Sequence, residues 1–127
     1  MKEVILDTNF LMAVSQFKVD VFSEIRRICD FPYELFIIDK TIDELKSIIE
    51  KQSGKNKAAA KLALTIIKTK KIKKIKTKQG TVDELILKIA DKNTVVATQD
   101  MELKRRLKAK GIPLIVLRQK RHLILVK

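Results

Sequence analysis

The sequence predicts an α/β fold with a mainly parallel central sheet and helices on both faces. Three observations carry this. Short apolar runs alternate with stretches of helical period along the whole chain. Two of those runs, Val4-Ile5-Leu6 and Val95-Val96-Ala97, are contiguous, as strands covered on both faces are. The chain is 127 residues long and 46% apolar, which suits one domain, residues 1–127, with its own core. No internal repeat or linker divides it.

Taken in order, Lys2–Asp7 reads as a buried strand, stopped by Asp7-Thr8-Asn9. Asp20–Cys29 reads as a helix, with Val21, Phe22, Ile25 and Ile28 on one face and Asp20 as its cap. Phe31-Pro32-Tyr33 breaks it, and Leu35–Ile38 follows as a second strand. Thr41–Glu50 is the next helix, burying Ile42, Leu45, Ile48 and Ile49. Gln52–Lys57 reads as a polar loop around Gly54, and Ala58–Ile67 as an Ala- and Leu-rich helix. In Lys70–Thr77, Ile72 and Ile75 stand among lysines, the pattern of a short edge strand guarded by charge. Thr81–Ala90 is a helix, Thr94–Thr98 a strand, and Met101–Lys110 a helix closed by Gly111. Leu114–Leu117 is a strand, and Leu123–Val126 a last one at an edge.

Composition narrows the function classes. One cysteine, Cys29, excludes an internal disulfide, and no Cys/His cluster offers a zinc site. A reducing, cytoplasmic setting fits this usage. No signal peptide is visible, and no apolar run approaches the roughly 18 residues of a membrane span. The formal net charge is +13. A nucleic acid is the first partner such a charge points to, an anionic membrane surface the second. A Lys-rich proteome, or hyperthermophilic ion-pair networks, would give the same balance.

Against 28 basic residues the chain has only 15 acids, and four of these fall at element ends. Asp7 ends the first strand, and Asp100 lies just past the strand ending at Thr98. Glu44 and Asp83 are placed in first turns of helices. In an open parallel sheet, ligands bind beyond the carboxyl ends of the strands. Carboxylates held together resist shared ionisation unless a cation relieves them. Oxygen-only ligands suit Mg²⁺ or Mn²⁺, which can hold a scissile phosphate and activate water. Each acid also has a plain structural reading. Asp7 and Asp100 can cap helices, and Thr41–Glu44 and Thr81–Glu84 have the form of capping boxes.

These segments together resemble the PIN-domain family. Val4-Ile5-Leu6-Asp7-Thr8-Asn9 is similar to its opening strand and first acid, and Thr41-Ile42-Asp43-Glu44-Leu45 to the segment of the second. Thr81-Val82-Asp83-Glu84-Leu85-Ile86 resembles the third-acid helix. Val95-Val96-Ala97-Thr98-Gln99-Asp100 resembles the fourth segment, with Gln99 where members often have Asn. The ending, Gly111-Ile112-Pro113 and then Val116 to Leu123, is similar to archaeal PIN proteins related to the Fcf1/Utp24 ribosomal-RNA processing nucleases. The resemblance implies a three-layer α/β/α sandwich and a Mg²⁺- or Mn²⁺-dependent endoribonuclease. It implies metal-ligand and catalytic roles for Asp7, Glu44, Asp83 and Asp100, with Asn9 and Thr98 in support, and a homodimer. Ribosomal-RNA processing alongside a ribosome-assembly factor is the pathway it favours; the toxin of a VapBC-type pair with an acidic antitoxin is the alternative.

Basic segments supply a phosphate-tracking surface. Lys68–Lys78 holds seven lysines. Lys104, Arg105, Arg118, Lys120 and Arg121 are the expected RNA contacts. Aromatics are few, so no base-stacking platform is expected. His122 reads as structural or as an RNA contact, and Cys29 as a core residue. Two competing classes are a PIN scaffold that binds RNA without cutting it, and a phosphotransfer domain. The phosphatase pattern needs a second Asp two residues after the first, where this chain has Asn9, and the receiver pattern needs an acidic pair that Glu3 stands too early to supply.

Overall fold

Residues without a polar side of their own must be covered on both faces, and the central strands are built from such residues. The computed structural model describes residues 1–127. The elements run β1 (Lys2–Leu6), α1 (Thr8–Gln16), α2 (Val21–Ile28), β2 (Tyr33–Ile38), α3 (Asp39–Lys51), α4 (Gly54–Thr69), β3 (Lys73–Ile75), α5 (Val82–Ile89), β4 (Thr94–Ala97), α6 (Met101–Ala109), β5 (Leu114–Arg118) and β6 (His122–Val126). One six-stranded sheet has the order β3-β2-β1-β4-β5-β6, with β6 alone antiparallel. This is the α/β/α sandwich the sequence predicts.

Alternation along β1 and β4 sorts two cores. Val4, Leu6, Val95 and Ala97 point into the larger one, packed by Phe10, Leu11, Val14, Ile25, Leu45 and Ala60 from α1 to α4. Ile5 and Val96 point into the smaller one, under Leu85, Ile86, Leu103 and Leu107 from α5 and α6. Cys29 is buried in the larger core, as expected. The strand order turns back on itself at β1, so the crevice between β1 and β4 is the switch point where α/β proteins bind ligands.

Three elements differ from the sequence reading. Helix α1 is signalled only by Asp7 as a candidate cap, because Phe10 to Val14 is apolar without a polar side and shows no helical period. Helix α3 starts at Asp39, two residues before Thr41, and no side chain caps it. Thr41 is therefore inside the helix and fully buried, and Glu44 lies in its second turn; the capping box there is not formed. Helix α4 begins at Gly54, so the expected loop shrinks to Gln52 and Ser53 and the polar stretch after it is helical. Gly54 has φ +64°, a value glycine adopts without strain.

Candidate active site

The four acids reach the sheet's carboxyl end by four different routes. Asp7 follows β1 directly. Its backbone nitrogen donates to the Ala97 carbonyl of β4 at 2.9 Å, which fixes it at the switch point. It caps α1, with one carboxylate oxygen accepting from Thr8 N at 2.9 Å and the other from the Thr98 hydroxyl at 2.7 Å. It is 1% exposed. Burial, reinforced by the charges of Asp83 and Glu44, pushes its carboxyl up to about 7 against the pull of those hydrogen bonds.

Glu44 comes from α3, and its Oε1 accepts from the Thr8 hydroxyl at 2.5 Å. Thr8 also faces Thr41 at 3.4 Å between hydroxyl oxygens. This buried threonine pair turns Glu44 toward Asp7, and sequence reasoning missed it: the contact spans 36 residues and no local pattern announces it.

Asp83 sits in the first turn of α5, behind Thr81, whose hydroxyl accepts from Glu84 N at 3.3 Å. Its carboxylate is pushed up by partial burial first, then by Asp100, Glu44 and Glu84. No hydrogen bond holds it, so its place depends on the backbone before it. Gly80 has φ +147°, and a Cβ there would meet the Leu85 side chain at 3.2 Å. Further back, Asp39 accepts from Thr77 N at 3.2 Å and from its hydroxyl at 2.5 Å. The Lys40 ammonium donates to the Thr77 carbonyl at 3.0 Å. These bonds, the Thr77 hydroxyl foremost, hold the Asp39 carboxyl down at about 2.

Asp100 caps α6, with Oδ1 accepting from Leu103 N at 2.7 Å. Its own nitrogen donates to the Thr98 hydroxyl at 3.1 Å. Asn9 Oδ1 accepts from Gln99 N at 3.0 Å. Thr98 and Asn9 thus stitch the end of β4 to α1 and set Asp7 and Asp100 relative to each other. Gln99, the departure from the family pattern, is bonded to β5: its Oε1 accepts from Leu117 N at 2.8 Å and its Nε2 donates to the Leu117 carbonyl at 3.3 Å.

Asp7, Glu44 and Asp83 line one cleft of about 590 Å³, with Asn9, Ser47 and Asn56 among the polar groups of its wall. Asp100 does not line it; it stands beside Asp83 and acts on it through charge. The donor set is all oxygen, which fits a hard divalent cation. No three of these acids stand close enough to close around one ion as they are. Oxygens without a hydrogen-bond partner remain on Glu44, Asp83 and Asp100.

Of the expected RNA contacts, Arg118, Lys120 and Arg121 are exposed around the β5–β6 turn. Arg105 is exposed but bonded through two nitrogens to Glu102, at 3.1 and 2.6 Å, and Lys104 is half-buried beside it. No helix is long and apolar enough to cross a membrane.

A family model described as "PIN like domain" matches residues 4–120. Ribonuclease VapC4 of Methanocaldococcus jannaschii is 36% identical over 126 residues, covering 96% of this chain and 95% of its own. Ribonuclease VapC9 of Archaeoglobus fulgidus is 32% identical over 117 residues, covering 91% and 82%. The structure of the PIN domain endonuclease Utp24 superposes with a TM-score of 0.79 at 25% identity, over 97% of this chain and 90% of that one. A domain of a functionally unknown M. jannaschii protein shares the fold, with a TM-score of 0.63 at 19% identity over 93% and 92%. The match of residues 4–120 and the likeness to relatives over nearly their full length place this chain in the PIN-like domain family.

Proposed function

We propose that the protein is a divalent-metal-dependent endoribonuclease that hydrolyses RNA phosphodiester bonds at the cleft of Asp7, Glu44 and Asp83, with Asp100 at its rim. The observation that carries this is Asp7: a buried carboxylate at the switch point, pushed up to about 7 with Asp83 and Glu44 adding to the effect of burial. A site that opposes its own ionisation calls for a cation, and its acids are otherwise out of place in a chain of charge +13. Relatives named as ribonucleases and as an endonuclease support the same reading.

Asp7 is the ligand held in place, by hydrogen bonds from Thr8 N and from the Thr98 hydroxyl. Glu44 and Asp83 are the adjustable ones, and Asp100 completes the set. A bound Mg²⁺ or Mn²⁺ supplies Lewis acidity at the scissile phosphate and a lowered pKa for the attacking water. The protein's own groups orient the carboxylates, and Arg118, Lys120 and Arg121 around the β5–β6 turn hold flanking phosphates. Mn²⁺ titration followed by calorimetry is the direct check. Binding in the wild type, lost in Asp7→Asn and weakened in Asp100→Asn, supports the reading; equal binding in all three contradicts it.

For the pathway we infer ribosomal-RNA processing, from the resemblance of the segment from Gly111 to Leu123 to the Fcf1/Utp24 branch, to which the likeness to the endonuclease Utp24 over 97% of the chain lends support. The VapC names favour a toxin with an antitoxin partner. Depletion in the native host separates them. Accumulating ribosomal-RNA precursors support processing. Growth arrest on expression, relieved by a co-encoded acidic protein, supports the toxin.

A further inference from the structure

Helices α1 and α4 border a second groove, which the acidic cleft does not use. It encloses about 400 Å³ and is lined by Ser15, Phe17, Lys18, Lys55, Ala58 and Leu62, among others. Phe17 and Leu62 are two of the few large apolar side chains left exposed, at 37% and 41%. The Lys120 ammonium lies 5.2 Å from the centre of the Phe17 ring. It is carried there by the β5–β6 turn, in which Gln119 and Lys120 both adopt positive φ, 55° and 58°. Lys18, directly after Phe17, does the same at 54°. None is glycine; Lys18 follows the last turn of α1 and Gln119-Lys120 lie in the β5–β6 hairpin turn, and between them these turns bring the Lys120 ammonium to the Phe17 ring. Ser15 is 3% exposed, and its hydroxyl is the one buried side-chain polar atom in the protein without a hydrogen-bond partner.

The two grooves are neighbours. Met12 of α1 and Asn56 of α4 line the acidic cleft, and Ser15 and Lys55 of the same helices line this one. Ser15 lies seven residues beyond Thr8, about 10 Å along the helix axis. We propose that this groove is a nucleotide subsite for the single-stranded RNA that flanks the scissile phosphate. A base stacks on Phe17, and Lys18, Lys55 and Lys120 hold its phosphates. The inference rests on the ribonuclease reading and adds to it a place on the substrate. Charge decides against a second copy of the chain. No acid lines the groove, and a two-fold contact through it would set lysines against lysines.

The test is fluorescence anisotropy of labelled single-stranded RNA in EDTA, so that binding is read without cleavage. The RNA is long enough to reach from Asp7 to Phe17. Phe17→Ala is expected to weaken binding about tenfold, with Phe17→Tyr restoring it. Lys18→Gln with Lys55→Gln is expected to flatten the log K against log salt slope by about 1.4. Unchanged affinity in Phe17→Ala and an unchanged slope in the lysine pair overturn the proposal. So does a loss of dimer mass in Phe17→Ala by light scattering with RNA affinity intact, which makes the groove a contact between copies. Should Phe17→Ala not fold by circular dichroism, the lysine pair decides. A wild type that cuts RNA while Phe17→Ala and the lysine pair bind it unchanged removes only the subsite. A wild type that neither binds nor cuts removes the ribonuclease reading with it.

Discussion

Asp7 is asked to do two things that conflict in the metal-free protein: to cap α1 and to carry a charge while buried. The folded state holds its proton more tightly than the unfolded chain, whose ordinary value is 3.8. Its contribution to stability is therefore complete below about pH 4 and is lost as pH rises through about 7. Asp7→Asn is expected to be more stable than wild type at pH 8 in EDTA, by roughly 2–4 kcal/mol, and near parity at pH 4. Urea denaturation at the two values checks this. With Mn²⁺ present, the wild type gains stability by mass action and the variant does not. Asp39 has the opposite sign. Its folded value of about 2 lies below 3.8, so its stabilisation is present above about pH 4 and lost as pH falls through about 2. The side chain is 29% exposed, so Asp39→Asn is expected to cost only about 1 kcal/mol at pH 7. Urea denaturation reads that loss, and a fall in activity beyond it would report Asp83 shifting as Thr77 comes free.

At the scale of elements, α5 and the β5–β6 hairpin show how local chemistry sets the site. Thr81→Ala removes the α5 cap and is expected to cost about 1 kcal/mol while loosening Asp83. Replacing Gln119 by Asn and Lys120 by Gly suits the positive φ of that turn and is expected to raise stability by ~1 kcal/mol, at the expense of RNA affinity. Thermal denaturation and RNA binding check the two halves. The sequence made most of this level legible. The strands, the caps at Asp20, Thr81 and Asp100, and the guarded edge at β3 all rest on patterns within a few residues. What escaped depends on distant partners. Helix α1 is buried so widely that it has no polar face to betray its period. Thr41 looked like a cap because its real partner, Thr8, lies 33 residues away. Three of the four acids singled out by their order along the chain, Asp7, Glu44 and Asp83, line one cleft, but the threonine hydroxyls bonded to Asp7 and Glu44 come from long-range packing, and Asp100 is held apart as the cap of α6.

At the scale of the molecule, a protein of charge +13 keeps one acidic cleft at the switch point of its sheet and places exposed cations on the β5–β6 turn. Arg105 is occupied by Glu102, which leaves Lys104, Arg118, Lys120 and Arg121 of the expected contacts, and Lys18 and Lys55 of the second groove add two more. Six such contacts predict a slope of about −4 in log K against log salt for single-stranded RNA, measurable by titration in EDTA. Metal-dependent catalysis by the acidic cleft is tested most directly by cleavage of a labelled single-stranded RNA with Mn²⁺ by wild type, Asp7→Asn and Asp83→Asn, all shown to be folded. Cleavage by wild type that EDTA abolishes, and that falls at least a hundredfold in both variants, is the predicted result. Cleavage that survives either substitution, or that proceeds in EDTA, would contradict it.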